Sequence, residues 1–200
     1  MIKKIENILY LFLWFSSFFI FFAVAQAAEF KIIPNGSEVG VGGKIKFDVV
    51  LLPEGKNINA LEANLRFSTN TLKLERIIDG SSIISLWTDR PTEVKSGEIF
   101  FSGIIPSGFG GVKAPLLSLI MEGRHPGEGF VFLADSKVLE NDGQGTEIPS
   151  RGAKGNIRIT TSSSSPYVAA EDTTPPESFS PSIARDTSVY DGKWVLLFST

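Results

Sequence analysis

The sequence contains no cysteine and a single histidine, His125, among its 200 residues. The absence of cysteine excludes disulfides and thiol chemistry, so the fold must be stabilised by burying apolar surface in its own core. A zinc site of the usual ligand type is disfavoured, because such sites draw on cysteine and histidine. His125 lies in a turn-like stretch with no local serine or carboxylate to complete a catalytic triad. These absences argue against an enzyme.

Basic residues are scattered, and the formal net charge is -3. Nucleic-acid-binding surfaces are typically built from clustered lysine and arginine, and no such stripe is present. The glycine clusters at 40–43 and 108–111 resemble phosphate loops, but neither opens a helix. We therefore expect no nucleic-acid partner and no nucleotide site.

The N-terminal segment, residues 1–28, has the organisation of a secretory signal. Two lysines precede an uncharged apolar run from Ile8 to Val24, and Ala25-Gln26-Ala27 matches the A-x-A pattern of signal-peptidase sites. Cleavage would leave a mature chain beginning near Ala28. A run of this length also fits an uncleaved membrane anchor. We expect a secreted or cell-surface protein that meets the membrane only through this segment or through a C-terminal part not contained in this sequence.

Alternation of apolar and polar residues dominates residues 29–160. In Lys44–Leu51 and Leu61–Phe67 the period of two places one strand face in a core and the other in water. Turn sequences such as Asn35-Gly36 and Asp142-Gly143 separate the alternating segments. Further strands are predicted at Phe30–Ile33, Leu72–Ile78, Ile83–Trp87, Ile99–Ile105, Leu116–Met121, Phe130–Ala134 and Asn156–Thr160.

The number and spacing of these strands predict an all-β fold, an antiparallel jelly-roll β-sandwich of about nine strands. A closed barrel is the alternative. Residues 161–176 are rich in Ser, Thr and Pro and are predicted to form a linker. Residues 177–200 end in the apolar run Trp194–Phe198, which predicts the start of a truncated second β domain, immunoglobulin-like in type.

Several segments resemble the cohesin family in order and spacing, over residues 29–160. Val41–Val49 matches the family's V-G-x-x-x-x-x-x-V strand, and Arg66–Leu74 matches its R-[YF]-D-P-x-x-L-x-[VIL] pattern, with Ser68-Thr69 in place of Asp-Pro. The resemblance implies a nine-stranded sandwich that binds a partner across one sheet face, without catalysis. That partner is a dockerin in cellulosomes, and a surface or polysaccharide-linked partner more broadly. Later segments also fit: Gly97–Phe101, Pro115–Met121, Asn141-Asp142-Gly143 and Gly155–Ile159.

The resemblance also implies where a partner would bind. Dockerin-binding cohesins project an Asn and an Asp, two residues apart, from the strand that here contains Ala60 and Glu62. Glu62 keeps a carboxylate, whereas Ala60 lacks the amide. The outward residues Glu62, Asn64 and Arg66 form the predicted partner-binding face for an extracellular, dockerin-like protein. An ordinary solvated strand face would show the same pattern.

A carbohydrate-binding module is the alternative function, and a structural spacer is a third. Trp87 is a possible sugar contact because amphipathic aromatics serve at binding surfaces, although its apolar neighbours also fit core packing. Phe109, in a glycine-rich loop, is the second such candidate. A polysaccharide would then be the partner.

An oxygen-rich stretch near the C-terminal end of the domain is the one candidate metal site. Asp135, Asn141, Asp142 and Glu147 offer oxygen ligands, of which calcium takes about six to eight. Their spacing does not follow the D-x-[DN]-x-[DN]-G loop, and a plain Asn-Asp-Gly turn explains part of the pattern. We therefore predict no cofactor, with calcium as the alternative.

Overall fold

Strands and turns account for the part of the chain that this computed structural model describes. No helix in that part is long and apolar enough to cross a membrane. All but the last two residues of the predicted signal segment, residues 1–28, lie outside the described residues. The chain divides into two compact units, Met1–Val168 and Ala169–Thr200. The described residues are 27–162, 164–168, 182–185 and 193–197.

The first unit is a sandwich of two sheets. Nine of its strands have seven or more residues, which confirms the predicted strand number. Three shorter strands, β2, β10 and β11, add short pairings. The strands are β1 (Ala28–Pro34), β2 (Glu38–Gly40), β3 (Lys44–Leu52), β4 (Ile58–Phe67), β5 (Leu72–Ile78), β6 (Leu86–Lys95), β7 (Glu98–Phe109), β8 (Ala114–Gly123), β9 (Gly127–Glu140), β10 (Glu147–Ile148), β11 (Ser150–Arg151) and β12 (Lys154–Thr160).

The first sheet has the strand order β11-β1-β3-β8-β5, and the second has the order β2-β12-β9-β4-β7-β6, with β10 paired to β9. Most neighbours are antiparallel; β1 with β11 and β12 with β2 are parallel. Among the strands that the structure describes, both sheets have free edges, so the alternative of one closed barrel does not hold. The predicted all-β sandwich is confirmed.

The core lies between the two sheets and follows the alternation in the sequence. Ile45, Phe47 and Val49 of β3 are fully buried, as is Leu65 of β4, while the residues between them face outward. Full burial of one such side chain stabilises the folded state by roughly 1.5–3 kcal/mol relative to exposure. Many of these contributions together allow the sandwich to fold without disulfides.

The predicted linker comprises residues 161–176. Its beginning forms hydrogen bonds with the sandwich. The Gly40 amide donates to the Ser164 carbonyl (2.7 Å), and the Tyr167 amide donates to the Lys44 carbonyl (3.0 Å). At Gly40 the approach is close, because a Cβ there would lie 1.7 Å from the carbonyl oxygen of Ser162. The packed domain thus continues beyond residue 160.

In the second unit the described residues form one antiparallel hairpin, β13 (Ser182–Arg185) with β14 (Trp194–Leu197). The predicted run Trp194–Phe198 is a strand as far as Leu197. Ile183 and Trp194 are both about two-thirds exposed, at 69% and 68%.

Candidate functional site

The outward side chains of β9, β4, β7 and β6 form one continuous surface, called the outer face below. The pleat of β4 buries Leu61, Ala63 and Leu65 and turns the intervening residues toward solvent. Neighbouring strands place their outward residues beside those of β4 in register. The outer face therefore spans four adjacent strands, with cross-strand rows of side chains.

One of these rows is apolar although it faces solvent. Ala60 of β4 pairs with Ile104 of β7 and Leu139 of β9, and Ile104 pairs with Leu86 of the edge strand β6. We call these four residues the apolar row. Leu86 is 54% exposed. Directly opposed side chains lie about 5 Å apart, so the four form a contiguous stripe across the outer face.

A cavity of about 180 Å³ opens at the centre of the apolar row. Ala60, Ile104 and Leu139 line it on the apolar side, and Glu62 and Lys137 contribute polar lining. It exists because alanine fills little of the space between its larger cross-strand neighbours. Small-molecule sites typically have volumes of roughly 300–1,000 Å³, so this cavity has the size for one side chain rather than for a cofactor.

The next row along the strands is polar. Some of its side chains form hydrogen bonds within the molecule, and others do not. The Ser102 hydroxyl donates to Oδ2 of Asp89 (2.6 Å) and lies 2.6 Å from the Thr88 hydroxyl. Glu62 and Lys137 face each other in register. Within the described part of the chain, neither of these two side chains makes an ion pair or a hydrogen bond. They are free to bind charges of a partner.

Asn64 and Arg66 are engaged within the molecule. The amide of Asn64 donates to Oε1 of Glu98 (2.7 Å), while Lys95 Nζ (2.8 Å) and Arg66 Nη2 (3.2 Å) approach Oε2. The hydrogen bonds from Lys95 and Asn64, together with the Arg66 charge, lower the pKa of Glu98 to about 2. Of the predicted face, Glu62 alone is left without an internal partner among the described residues.

The structure places the two predicted sugar-contact residues against the core. The Trp87 ring packs edge-on against the buried Phe101, with centroids 6.3 Å apart and an interplanar angle of 77°. Phe109 lies opposite Ile58 in register and also packs on the core. Both rings are half-buried.

Two aromatic residues that the sequence did not single out lie on the outward side of β9. The rings of Phe130 and Phe132 are 5.9 Å apart, and the Lys154 ammonium lies 4.3 Å from the centroid of Phe130. Together they border a shallow depression of about 490 Å³. The signal was present in the sequence: the run 130–134 is apolar at consecutive positions, whereas a strand with one wet face alternates.

The calcium candidates do not converge. Asp142 accepts hydrogen bonds from the Thr146 hydroxyl and from the Gln144 amide, and these contacts lower its pKa. Asp135 lies on β9, opposite Asn64, and Glu147 lies on β10. Across the described residues, no three or more His, Cys, Asp or Glu side chains gather as a potential metal site.

No sequence-family model and no curated protein gives a significant match to the chain. Solved structures share its fold. A cohesin module from a family 33 glycoside hydrolase of Clostridium perfringens superposes with a TM-score of 0.56 at 12% identity, covering 67% of this chain and 97% of that one. A type I cohesin–dockerin complex from Clostridium thermocellum gives 0.54 at 12%, covering 68% and 96%. A non-cellulosomal cohesin from the archaeon Archaeoglobus fulgidus gives 0.53 at 17%, covering 66% and 91%.

Proposed function

We propose that the first unit, which has the cohesin fold that the family resemblance predicted, is a non-catalytic docking module and binds a protein partner through the outer face of β9, β4, β7 and β6. The observation that carries the proposal is the solvent-facing apolar row beside two charged side chains, Glu62 and Lys137, that lack internal partners in the described residues. One of the similar structures is a cohesin–dockerin complex, so a dockerin-like protein is the first partner to test.

The size of the outer face is compatible with a modest interface. Four strands spaced about 4.8 Å apart, with rows about 7 Å apart along them, give a surface of roughly 20 by 25 Å, or ~500 Å². A standard protein interface buries about 800 Å² on each partner. A partner centred on the apolar row would therefore also contact neighbouring strands or loops.

Three carboxyl groups of the described residues have perturbed pKa values, and none of the three suits a general acid. The carboxyl groups with perturbed pKa values, Glu75, Glu98 and Asp142, are all shifted downward by hydrogen bonds or nearby charges. A general acid at neutral pH needs a carboxyl pKa shifted upward, toward the working pH. These three groups therefore stay ionised at neutral pH.

We also propose that the module works outside the cytoplasm, at the cell surface or as a secreted protein. The support is the signal-like segment 1–28. N-terminal sequencing of the protein from its native cytoplasmic, membrane and medium fractions tests this. A mature chain starting near Ala28 supports export, and an intact Met1 in the cytoplasmic fraction contradicts it.

Charge reversal on the outer face tests the docking function. Glu62→Lys and Lys137→Glu are each expected to weaken binding to a captured dockerin module at least tenfold in biolayer interferometry. Lys31→Glu, on the opposite sheet, serves as the matched control and is expected to leave affinity within twofold. Binding that falls with the control and ignores both reversals would move the partner to the other sheet.

Polysaccharide binding is the second candidate, and the outward pair Phe130 and Phe132 favours it. Rings on a sheet face can stack against apolar faces of a ligand. A glycan array, followed by Phe130→Ala and Trp87→Ala, separates the possibilities. Sugar binding that is lost in Phe130→Ala but retained in Glu62→Lys would make the carbohydrate the ligand of this surface.

A further inference from the structure

We infer, building on the polysaccharide binding given above as the second candidate, that Phe132 and Lys154 form a site for an acidic polysaccharide, one whose sugar rings carry carboxylate groups. The site lies where β9 pairs with β12. Phe132 stacks against the apolar face of a sugar ring, and the ammonium of Lys154 binds the carboxylate of the same sugar or of the next one.

The two aromatic rings of β9 have different roles in this site. The ammonium of Lys154 lies 4.3 Å from the centroid of the Phe130 ring, a cation–π contact that covers that ring. The Phe132 ring, whose centroid is 5.9 Å from that of Phe130, is half-buried on the outward side of β9. Phe132 is therefore the ring left for stacking, and Phe130 positions the ammonium beside it.

Phe132 lies between two cations. Its register partners are Lys154 on β12 and Arg66 on β4. Arg66 is half-exposed and already bound to the nearly buried carboxylate of Glu98, at 3.2 Å. Within the described part of the chain, Lys154 forms no ion pair. A carboxylate placed beside the Phe132 ring thus meets a cation that no acidic side chain already neutralises.

The depression of about 490 Å³ beside these rings has the volume of a small-ligand site, for which roughly 300–1,000 Å³ is typical. Among the residues that line it, Lys154 carries the only charge, and Gly152 and Ala153 add little bulk. A neutral ligand covering the depression would leave the ammonium unpaired, and a small inorganic anion would leave the rings in water. An acidic sugar offers an apolar ring face and a carboxylate together, so it suits both groups.

The carboxylates of β9 set the direction in which the polysaccharide runs. Glu128 lies near Arg158, with 3.6 Å between Oε1 and Nε. Asp135 is exposed and forms no ion pair in the described residues, so it repels an acidic chain. The polysaccharide therefore extends from Phe132 toward Phe130 and away from Lys137, which lies five residues along β9, or roughly 16 Å. The sugar and a protein partner thus contact different ends of this strand.

A panel of acidic polysaccharides tests this inference. Polygalacturonate, alginate and hyaluronate are each compared with their carboxyl-reduced form, in which every uronate has become a neutral sugar. At least one acidic polymer is expected to bind the chain at least tenfold more tightly than its reduced form in isothermal titration calorimetry. The reason is that reduction removes only the group that Lys154 binds.

Variants assign the binding to the site. Lys154→Met is expected to weaken binding of the acidic polymer at least tenfold and to leave the reduced form unaffected, whereas Lys154→Arg keeps the charge and should stay within threefold. Phe132→Ala is expected to weaken binding of both forms, because it removes the stacking ring. Lys31→Met, on the opposite sheet, is the matched control, and it and Glu62→Lys should each leave affinity within twofold. Thermal unfolding checks that every variant is folded.

The outcomes separate this site from the functions proposed above. Equal binding of acidic and reduced polymers, or an equal loss with Lys31→Met, would overturn the inference. Binding of neutral polysaccharides that is lost in Phe130→Ala and unchanged in Lys154→Met would overturn it and leave the second candidate function standing. The absence of any polysaccharide binding would overturn both, and the docking function would still rest on its own charge-reversal test.

Discussion

The cluster around Glu98 gives the molecule a specific sensitivity to acid. The pKa of Glu98 is about 2 in the folded protein against 4.5 for an ordinary glutamate, chiefly because Lys95 and Asn64 hydrogen-bond its carboxylate. A folded-state pKa below the unfolded value means that this contribution is fully present above about pH 4.5 and is lost as pH falls toward 2. Near pH 3.2 the unfolded state should carry about 0.9 proton more at this residue than the folded state.

The assay is the unfolding midpoint in urea, measured from pH 7 to pH 2 for the wild-type chain and for Glu98→Gln. The wild-type midpoint should fall more steeply than that of the variant between about pH 4.5 and 2, and the two curves should run parallel above pH 5. Lys95→Met should raise the Glu98 pKa more than Arg66→Met does, because the Lys95 hydrogen bond is the largest cause of the shift. Parallel curves throughout the acid range would refute the assignment.

Three further outcomes follow from individual contacts. Leu65→Ala removes a fully buried side chain and should lower the free energy of unfolding by about 2–5 kcal/mol in urea titration; a change near zero would contradict its place in the core. Gly40→Ala should detach residues 164–167, because a Cβ would meet the facing backbone at 1.7 Å, and hydrogen exchange there should accelerate while core amides stay protected. Thr146→Val should raise the pKa of Asp142 in an NMR titration, since that hydroxyl is the largest cause of its lowering, and an unmoved pKa would show that the hydroxyl does not bind it.

The regular part of the sandwich could be predicted from the sequence because its strands obey one simple pattern. Lys44–Leu51 and Leu61–Phe67 alternate, and the observed β3 and β4 contain both segments. Each of these strands has one face in the core and one in water, so the polarity of a side chain indicates which face it lies on. The cohesin resemblance rested on the spacing of such strands, and the shared fold reflects that spacing.

The edge of the second sheet could not be predicted in the same way. The sequence indicated a strand at Ile83–Trp87, whereas β6 spans Leu86–Lys95. Most of β6 is exposed, and its register with β7 shifts at three places, so no alternation identifies it. Charged residues and Pro91 are also typical of an edge strand that avoids pairing with other chains. The apolar row depends on the pairing of this edge through Leu86, which only the three-dimensional register reveals.

The sequence could also predict only part of the candidate site. Glu62, Asn64 and Arg66 have the same outward parity on β4, and the sequence therefore grouped them. The structure separates them by what faces them on the neighbouring strands: Asn64 and Arg66 bind the carboxylate of Glu98, while Glu62 lies opposite Lys137 and forms no ion pair with it. Cross-strand partners come from distant parts of the chain, so the sequence of one strand cannot tell which of its polar residues are already engaged.

The difference between side chains that bind Glu98 and side chains without an internal partner decides which substitutions report on binding alone. Substituting Asn64 or Arg66 disturbs the ionised Glu98 and changes stability together with the shape of the outer face. Substituting Glu62 or Lys137 breaks no internal hydrogen bond or ion pair among the described residues, and Ala60 has no side-chain polar atom to lose. Changes at these three positions should therefore alter affinity with little effect on unfolding. A binding defect seen with Asn64 or Arg66 variants is evidence of a direct contact only after the acid-stability profile of Glu98 has been shown to be unchanged.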